Sequence, residues 1–389
     1  MRIFAVTYTY NDAALVDALL GEILRWPLKP SDILVVDDGS TPPYAPGAKP
    51  PRGAGGLVPQ ILRLAPNQGP ARAKRAGLRA AAQSGAEVIL SLDADIRPHP
   101  DWLSVALPYL ARPGTGLVGA AFAHGLGGDS LSRYLRAFFT PAAEDKEAPF
   151  LGAGLWLMRG DVWAALGGLD DFDQATHEDL YFCRKLTAAG LKMWAVNSRP
   201  VRQIRRLHRC AYFRREVAYL GRAVRTRAQN RGLENALQPL EQQASARLRY
   251  ILERGEAEFL YLEIFKYAAM LAWLRANPGG APGQDTADGG VSGPNALGQG
   301  VAAGELLFRC LGGLVAYPNT LALLCADLAA IGLPQGLCRI IPAALAAVPW
   351  LEAERLHPLL LKLEMHGVRE FAREEREMPF DGHYLAPII

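Results

Sequence analysis

The first two hundred positions alternate between two rhythms. Ile3 to Val6, Ile33 to Val36 and Val88 to Leu92 are short, almost unbroken apolar runs, and Gln60 to Leu64 is a further strand candidate. Unbroken apolar runs mark strands covered on both faces. Between them, Leu15, Val16, Leu19, Leu20 and Ile23 recur at helical spacing. That spacing predicts an amphipathic helix over residues 13–25, and residues 70–84 read as an Ala-rich helix. Strands separated by helices predict an α/β fold, Rossmann-like, with a mainly parallel sheet and helices on both faces. A Pro/Gly-rich stretch, TPPYAPGAKPPRGAGG, interrupts the alternation and cannot be regular structure.

Beyond about residue 210 only the helical rhythm persists. Leu237 to Leu274 has helical spacing with a charged face, and Leu306 to Leu363 reads as short apolar helices broken by prolines. Residues 277–304 between them are rich in Gly and Pro and read as a long loop. The chain ends REFAREEREMPFDGHYLAPII, charged and then apolar. These patterns predict an α/β domain over 1–210 and an α-helical C-terminal domain over 211–389. The second carries no motif, which leaves acceptor binding, a homo-oligomer contact and docking on a partner all open for it.

Composition narrows the picture. The chain has 389 residues, too many for one ordinary core, so two domains are expected. It is 50% hydrophobic and 21% charged, a globular composition. A net charge of +3 gives no global pull toward nucleic acid. Cys183, Cys210, Cys310, Cys325 and Cys338 are scattered and form no C-x-x-C pair. That argues against a disulfide scaffold and fits a cytoplasmic protein. The N-terminus, MRIFAVTYTYND, turns polar too early for a signal peptide. The longest apolar stretch, 259–274, is interrupted by Glu263 and Lys266, so no transmembrane helix is expected.

The informative chemistry lies at strand ends. Asp93 and Asp95 close the run Val88 to Leu92, and Asp37 and Asp38 close the second strand. Ligands of such sheets bind beyond the carboxyl ends of the strands. Four carboxylates on one rim are costly unless a cation or hydrogen-bond donors satisfy them. The plainer reading of Asp37-Asp38-Gly39-Ser40 is a turn.

Six ordered segments then carry a resemblance: VTYTYND, ILVVDDGS, NQGPARAKRAGL, LSLDADIRPHPDWL, GAGLWLMRGDVWAALGGLDD and HEDLYFCRKLTAAGLKMW. Over residues 1 to about 210 the chain resembles family 2 glycosyltransferases of the GT-A fold. The segments are similar to that family's opening strand, nucleotide-binding strand, Asn-x-Gly region, D-x-D strand, acceptor-side segment and Glu-Asp segment. The resemblance implies metal-dependent, inverting transfer from a nucleotide-sugar, a UDP-sugar, to a glycan, lipid-linked or other hydroxyl acceptor. It also implies a place in cell-surface polysaccharide biosynthesis. A divalent cation would neutralise the departing diphosphate, and Mn2+ or Mg2+ needs only one or two protein carboxylates beside phosphate oxygens.

By resemblance, donor contacts fall on Thr7, Tyr8, Asn11, Asp37, Asp38, Asn67, Arg72, Asp93 and Ala94. Asp38 would read the base and Asp93 would face the ribose. Asp95 would ligate the metal, with His208 completing the set and His177 its competitor. Asp179 would be the general base, supported by Glu178. Gly154 would leave room for the acceptor, and Trp156 would stack on it or serve as core. Arg75 stands where the family often has Asn. Thr176-x-x-Asp179 also reads as a helix capping box. Arg72, Lys74 and Arg75 share an early helical turn that reads equally as a solvated face.

From Arg199 to Arg231 eleven arginines meet a single acid, Glu216. The segment reads as a solvated helix face, a phosphate clamp, or a patch for peripheral contact with anionic lipid at the inner membrane face. Two rival functions remain. One is a catalytically silent sugar-nucleotide or glycan-binding protein. The other is a nucleotidyltransferase, whose Gly-rich loop after the first strand is missing from TYTYND.

Overall fold

The computed structural model describes residues 1–46, 58–123, 127–173, 177–231, 243, 246–276, 317–331 and 353–378. The predicted loop 277–304, Thr176 of the predicted capping box and the chain end beyond 378 lie outside the described residues. Two compact units are present: residues 1–126 with 135–205, and residues 127–134 with 206–389.

The first unit is built on β1 (Ile3–Thr9), α1 (Ala13–Ile23), β2 (Asp32–Asp38), β3 (Gln60–Leu64), α2 (Pro70–Gln83) and β4 (Val88–Asp93). There follow β5 (Ile96–Pro98), α3 (Trp102–Leu110), β6 (Thr115–Gly119), β7 (Phe122–Ala123), α4 (Ser130–Phe139), which begins in the second unit, and β8 (Lys146–Glu147). It closes with β9 (Leu155–Arg159), α5 (Gly160–Ala165), α6 (Glu178–Ala188), β10 (Lys192–Ala195) and β11 (Val201–Gln203). The main sheet runs β3-β2-β1-β4-β9-β6-β10-β8. Strands β3, β2, β1 and β4 are mutually parallel, whereas β9 is antiparallel to both its neighbours. This is the mainly parallel α/β sheet that the apolar runs predicted.

Strand alternation sends successive side chains to opposite faces. Ile3, Ala5, Ile33, Val35, Val88 and Leu90 pack on one side with α1 and α3. Phe4, Val6, Leu34, Val36 and Ile89 pack on the other with α2 and α6. Each Val, Leu, Ile or Phe among them, fully buried, contributes about 1.5–3 kcal/mol, which explains why the strand runs are apolar throughout.

A second, three-stranded sheet, β5-β11-β7, matters more for the site. The register of β11 against β5 sets Gln203 opposite Ile96. That pairing carries the chain after β11 past the turn that holds Asp95.

The second unit is helical. It contains Arg209–Arg231, a helix over 246–254, Ala257–Ala276, Pro318–Ala330, Ala353–Lys362, a π-helical turn Leu363–Gly367, and Val368–Glu377. Its interior joins an aromatic cluster (Phe213, Tyr261, Phe265 and Phe371) to a buried ion pair. Arg209 donates to both oxygens of Asp327 at 2.7 and 2.9 Å, and the Tyr261 hydroxyl donates to the same carboxylate. Among the described residues no helix is long and apolar enough to cross a membrane.

Candidate active site

Because β2, β1 and β4 are parallel neighbours, their last residues share one edge. Register places Thr9 beside Asp37 and Tyr8 beside Asp93. The four rim carboxylates are therefore close in the fold, yet they have separate partners.

Asp37 is fully buried. Its oxygens accept the backbone N–H of Ser40 and of Tyr44, each at 2.9 Å, and the guanidinium of Arg63. Burial acts to raise its pKa, but these donors outweigh burial and hold it below the usual carboxylate range. Asp38 accepts the backbone N–H of Gln68 and Gly69 at 2.8 and 2.9 Å, which anchors the loop leading into α2. Burial pushes the Asp38 carboxyl up despite those two donors. Asn11, in the left-handed region at φ 58°, donates its N–H to Ser40 Oγ and accepts from the Thr41 N–H. The turn reading thus describes what Asp37, Asp38 and Asn11 do within the chain. Asn67 sits half-buried in the loop that Asp38 holds.

Asp93 has a different partner. Lys74 of α2 is buried rather than solvated, and its ammonium donates to Asp93 Oδ1. The same ammonium lies 4.7 Å from the centre of the Tyr8 ring. Lys74 can reach this spot because α2 lies hard against the sheet. A Cβ on Gly77 would come within 2.6 Å of Val6 and 2.7 Å of Val36, so only glycine permits that approach. The Tyr8 hydroxyl hydrogen-bonds Ser91 Oγ at 2.8 Å. Burial works against the Lys74 charge, but Asp93 and Glu178 overcome it and keep the ammonium protonated.

Glu178 is brought to this cluster by the start of α6. His177 caps that helix in the left-handed region at φ 76°, and Glu178 and Asp179 form its first turn, where the helix dipole favours anions. Glu178 is buried. Burial pushes its carboxyl up, Lys74 pulls it down, and Asp179 and Asp93 push it up again. Asp179 is half-buried, and its Oδ1 accepts the Leu180 N–H at 2.7 Å. With the cap at His177, Asp179 is the second helical residue, not the third that a capping box uses.

Asp95 has other partners. Its Oδ2 accepts from Gln203 Nε2 at 3.1 Å and from Arg205 Nε at 3.2 Å. Its carbonyl accepts the Ile204 N–H at 2.8 Å. Arg205 also donates through Nη2 to Asp12 Oδ2 at 2.5 Å, so one guanidinium bridges the turn after β1 and the turn after β4.

A divalent cation was expected on Asp95. Among the described residues, no group of three or more His, Cys, Asp or Glu side chains could hold a metal by itself. A cation that takes one or two carboxylates from the chain and its other ligands from a diphosphate and water needs no such group. Asp93, whose side chain is 37% exposed, and Asp95 are the oxygen ligands such a cation would find.

The other expected residues fall in varied places. Thr7 is buried within β1 between Val35 and Leu92, and Ala94 is buried with its carbonyl accepting from Arg97 at 2.7 Å. Arg72 is exposed on α2, and Arg75 donates to the Phe172 carbonyl at 3.2 Å. Gly154 is closed in by the Phe122 ring, which a Cβ would meet at 2.8 Å, and by Asp93 at 3.4 Å. Trp156 is fully buried, donates to the Leu151 carbonyl and packs on Phe182, so of its two readings it fills the core one. His208 belongs to the second unit. Its Nδ1 accepts the Cys210 N–H at 3.2 Å, and burial, then Arg209, push its pKa down to about 4 against the pull of Asp327.

In the Arg-rich segment, Arg205, Arg206, Arg209 and Arg215 are all ion-paired to carboxylates of the chain. Two site residues were not singled out by the motifs. Lys74 had a signal, since Ala71, Lys74, Leu78 and Ala81 form one buried stripe of α2. A lysine inside an apolar stripe is there for a partner. Arg205 had none, being one arginine among eleven.

Residues 5–165 match the family model for glycosyl transferase family 2. No curated protein matches the chain. Among solved structures, it is similar to a mannosyltransferase, PcManGT, from Pyrobaculum calidifontis in complex with GDP-Man and Mn2+. The identity is 18%, covering 86% of each chain, at a TM-score of 0.44. It is also similar to GalNAc-T7 with UDP, GalNAc and Mn2+, at 16% identity over 55% of this chain and 47% of that one, TM-score 0.40. S. aureus TarS 1–349 is similar at 14% identity over 71% and 85%, TM-score 0.40. Likenesses at these TM-scores carry no argument about the site.

Proposed function

We propose that the chain, whose residues 5–165 match the family model for glycosyl transferase family 2, is a glycosyltransferase that moves a sugar from a UDP-sugar to a hydroxyl of a glycan or lipid-linked acceptor with inversion. The observation that carries this reading is the convergence of Tyr8, Lys74, Asp93 and Glu178 at the carboxyl ends of β1 and β4, beside Asp95. The donor diphosphate would lie along this rim. Asp38 and Asn67 would frame the base, and Asp93 would accept from the ribose. Asp95, with Asp93 beside it, would hold Mn2+ or Mg2+, which supplies charge neutralisation for the departing diphosphate.

The acceptor side falls to the first turn of α6. Asp179, half-buried, would take the proton from the attacking hydroxyl. Glu178, whose charge acts on Lys74, would help hold that ammonium beside Asp93. A cytoplasmic setting in surface-polysaccharide synthesis, peripheral at the inner membrane face, suits a lipid-linked acceptor and the basic segment 199–231.

A panel of UDP-, GDP- and dTDP-sugars, assayed for nucleoside diphosphate release with Mn2+ and with EDTA, tests this. Release from UDP-sugars only in the presence of metal is expected. Preference for a guanosine donor would remove the base-reading role of Asp38, and EDTA-insensitive release would remove the cation.

A further inference from the structure

Asp95 is already served by the chain. Its Oδ2 takes two N–H donors, from Gln203 at 3.1 Å and Arg205 at 3.2 Å. Arg205 holds Asp12 with its other arm. The three charged side chains are largely withdrawn from water, at 12% exposure for Asp95, 16% for Asp12 and 23% for Arg205. A guanidinium N–H and a divalent cation cannot use the same oxygen lone pair. Loading a cation on that oxygen is therefore an exchange, in which one positive group leaves as another arrives. A guanidinium leaving Asp95 keeps its need for anionic oxygens, and a diphosphate offers them in the geometry arginine prefers.

We propose that Arg205 is a resident counter-ion of Asp95 that yields its place to the divalent cation and transfers to the donor diphosphate, so that cation and diphosphate load as a coupled pair. This rests on Asp95 being the cation ligand. Coupling is reciprocal: whatever diphosphate does for the cation, the cation does for diphosphate. Cation alone has to expel Arg205 with no new partner for it. Cation with diphosphate does not. Backbone brings Arg205 beside Asp95, since the β5–β11 register sets Gln203 opposite Ile96 and the Ile204 N–H bonds the Asp95 carbonyl. Arg205 follows β11, so its side chain can leave Asp95 without breaking the sheet.

The test is titration calorimetry of Mn2+ and of UDP, singly and together, on wild type, Arg205→Gln and Asp95→Asn. Arg205→Gln should bind Mn2+ alone about tenfold more tightly than wild type. It should bind UDP in the presence of Mn2+ more weakly, so that the coupling shrinks. A merely nearby charge would instead leave the coupling intact while both affinities shift together, and that result overturns the proposal, as does unchanged Mn2+ affinity. If Asp95→Asn keeps wild-type Mn2+ affinity, the ligand assignment itself is wrong and the proposal falls with it. If Asp95→Asn loses Mn2+ but Arg205→Gln is unaltered, only the counter-ion role fails. Should Arg205→Gln not fold, Arg205→Lys is measured in its place. It keeps the charge without the two-armed bridge, and an intermediate rise in Mn2+ affinity supports the exchange, whereas no rise overturns it.

Discussion

Asp93 and Asp95 are two positions apart and each is paired to a cation of the chain, yet the pairs are built in opposite senses. At Asp93 the cation is the hidden partner: Lys74 is 5% exposed and the carboxylate 37%. At Asp95 the carboxylate is the more hidden partner, at 12% against 23% for Arg205. Lys74 is rooted in a helix packed on the sheet, whereas Arg205 sits on the segment after β11. Asp93 therefore has a permanent counter-charge behind it and an open face in front. Asp95 has its counter-charge on a connecting segment. The two aspartates of the motif are thus countered by different cations, set in different parts of the fold.

The largest effect should come from the acceptor flank of the Asp93 cluster. Asp179→Asn removes a proton acceptor but keeps size and hydrogen-bonding shape. Transfer should fall by about 10²–10⁴-fold while melting temperature and UDP affinity stay near wild type. Near-normal transfer would move the base elsewhere, to Glu178 first. Next in size is the hidden cation. Lys74→Met leaves Asp93 and buried Glu178 without their common partner, a change that costs about 3 kcal/mol, toward the low end for broken buried pairs because Asp93 reaches solvent. Urea unfolding measures it. A loss below about 1 kcal/mol, the level of a surface pair, would mean that the two aspartates are countered alike and would erase the contrast between them.

Much of this was legible in the sequence, for reasons that can be named. The strands were, because a sheet covered on both faces leaves unbroken apolar runs such as Ile33 to Val36. The rim was, because the carboxylates follow those runs directly. What each carboxylate does was not. Asp37 and Asp38 adjoin one another, yet their donors come from Ser40 and Tyr44 in one case and from Gln68 and Gly69 in the other. Only the folded loops decide that. Lys74 was half-legible as a charge inside an apolar stripe. Arg205 was not, because its pairing to Asp12 and Asp95 spans 193 and 110 positions, and nothing local distinguishes it from Arg202 or Arg206. Trp156 carried two meanings in sequence, and its core role follows from the antiparallel insertion of β9 between β4 and β6.

The smallest effect sharpens the comparison through pH. Glu178 shares Lys74 with Asp93 and is the less exposed of the two, and burial pushes its carboxyl, like that of Asp93, up, here above the usual value of 4.5. The sign follows from linkage. Below pH 4.5 Glu178 is protonated in both folded and unfolded chains, and the folded state's preference for the neutral acid is fully expressed. As pH rises through the higher folded pKa, the buried group must ionise against its surroundings and that contribution is lost. Glu178→Gln cannot ionise, so it escapes the loss. Its melting temperature should match wild type near pH ~4 and exceed it at about pH 7 to 8. The opposite ordering at neutral pH would show that attraction to Lys74 outweighs burial at Glu178. In that case Lys74 would be held by two committed anions, and Asp93 would be correspondingly less bound to it than its geometry implies.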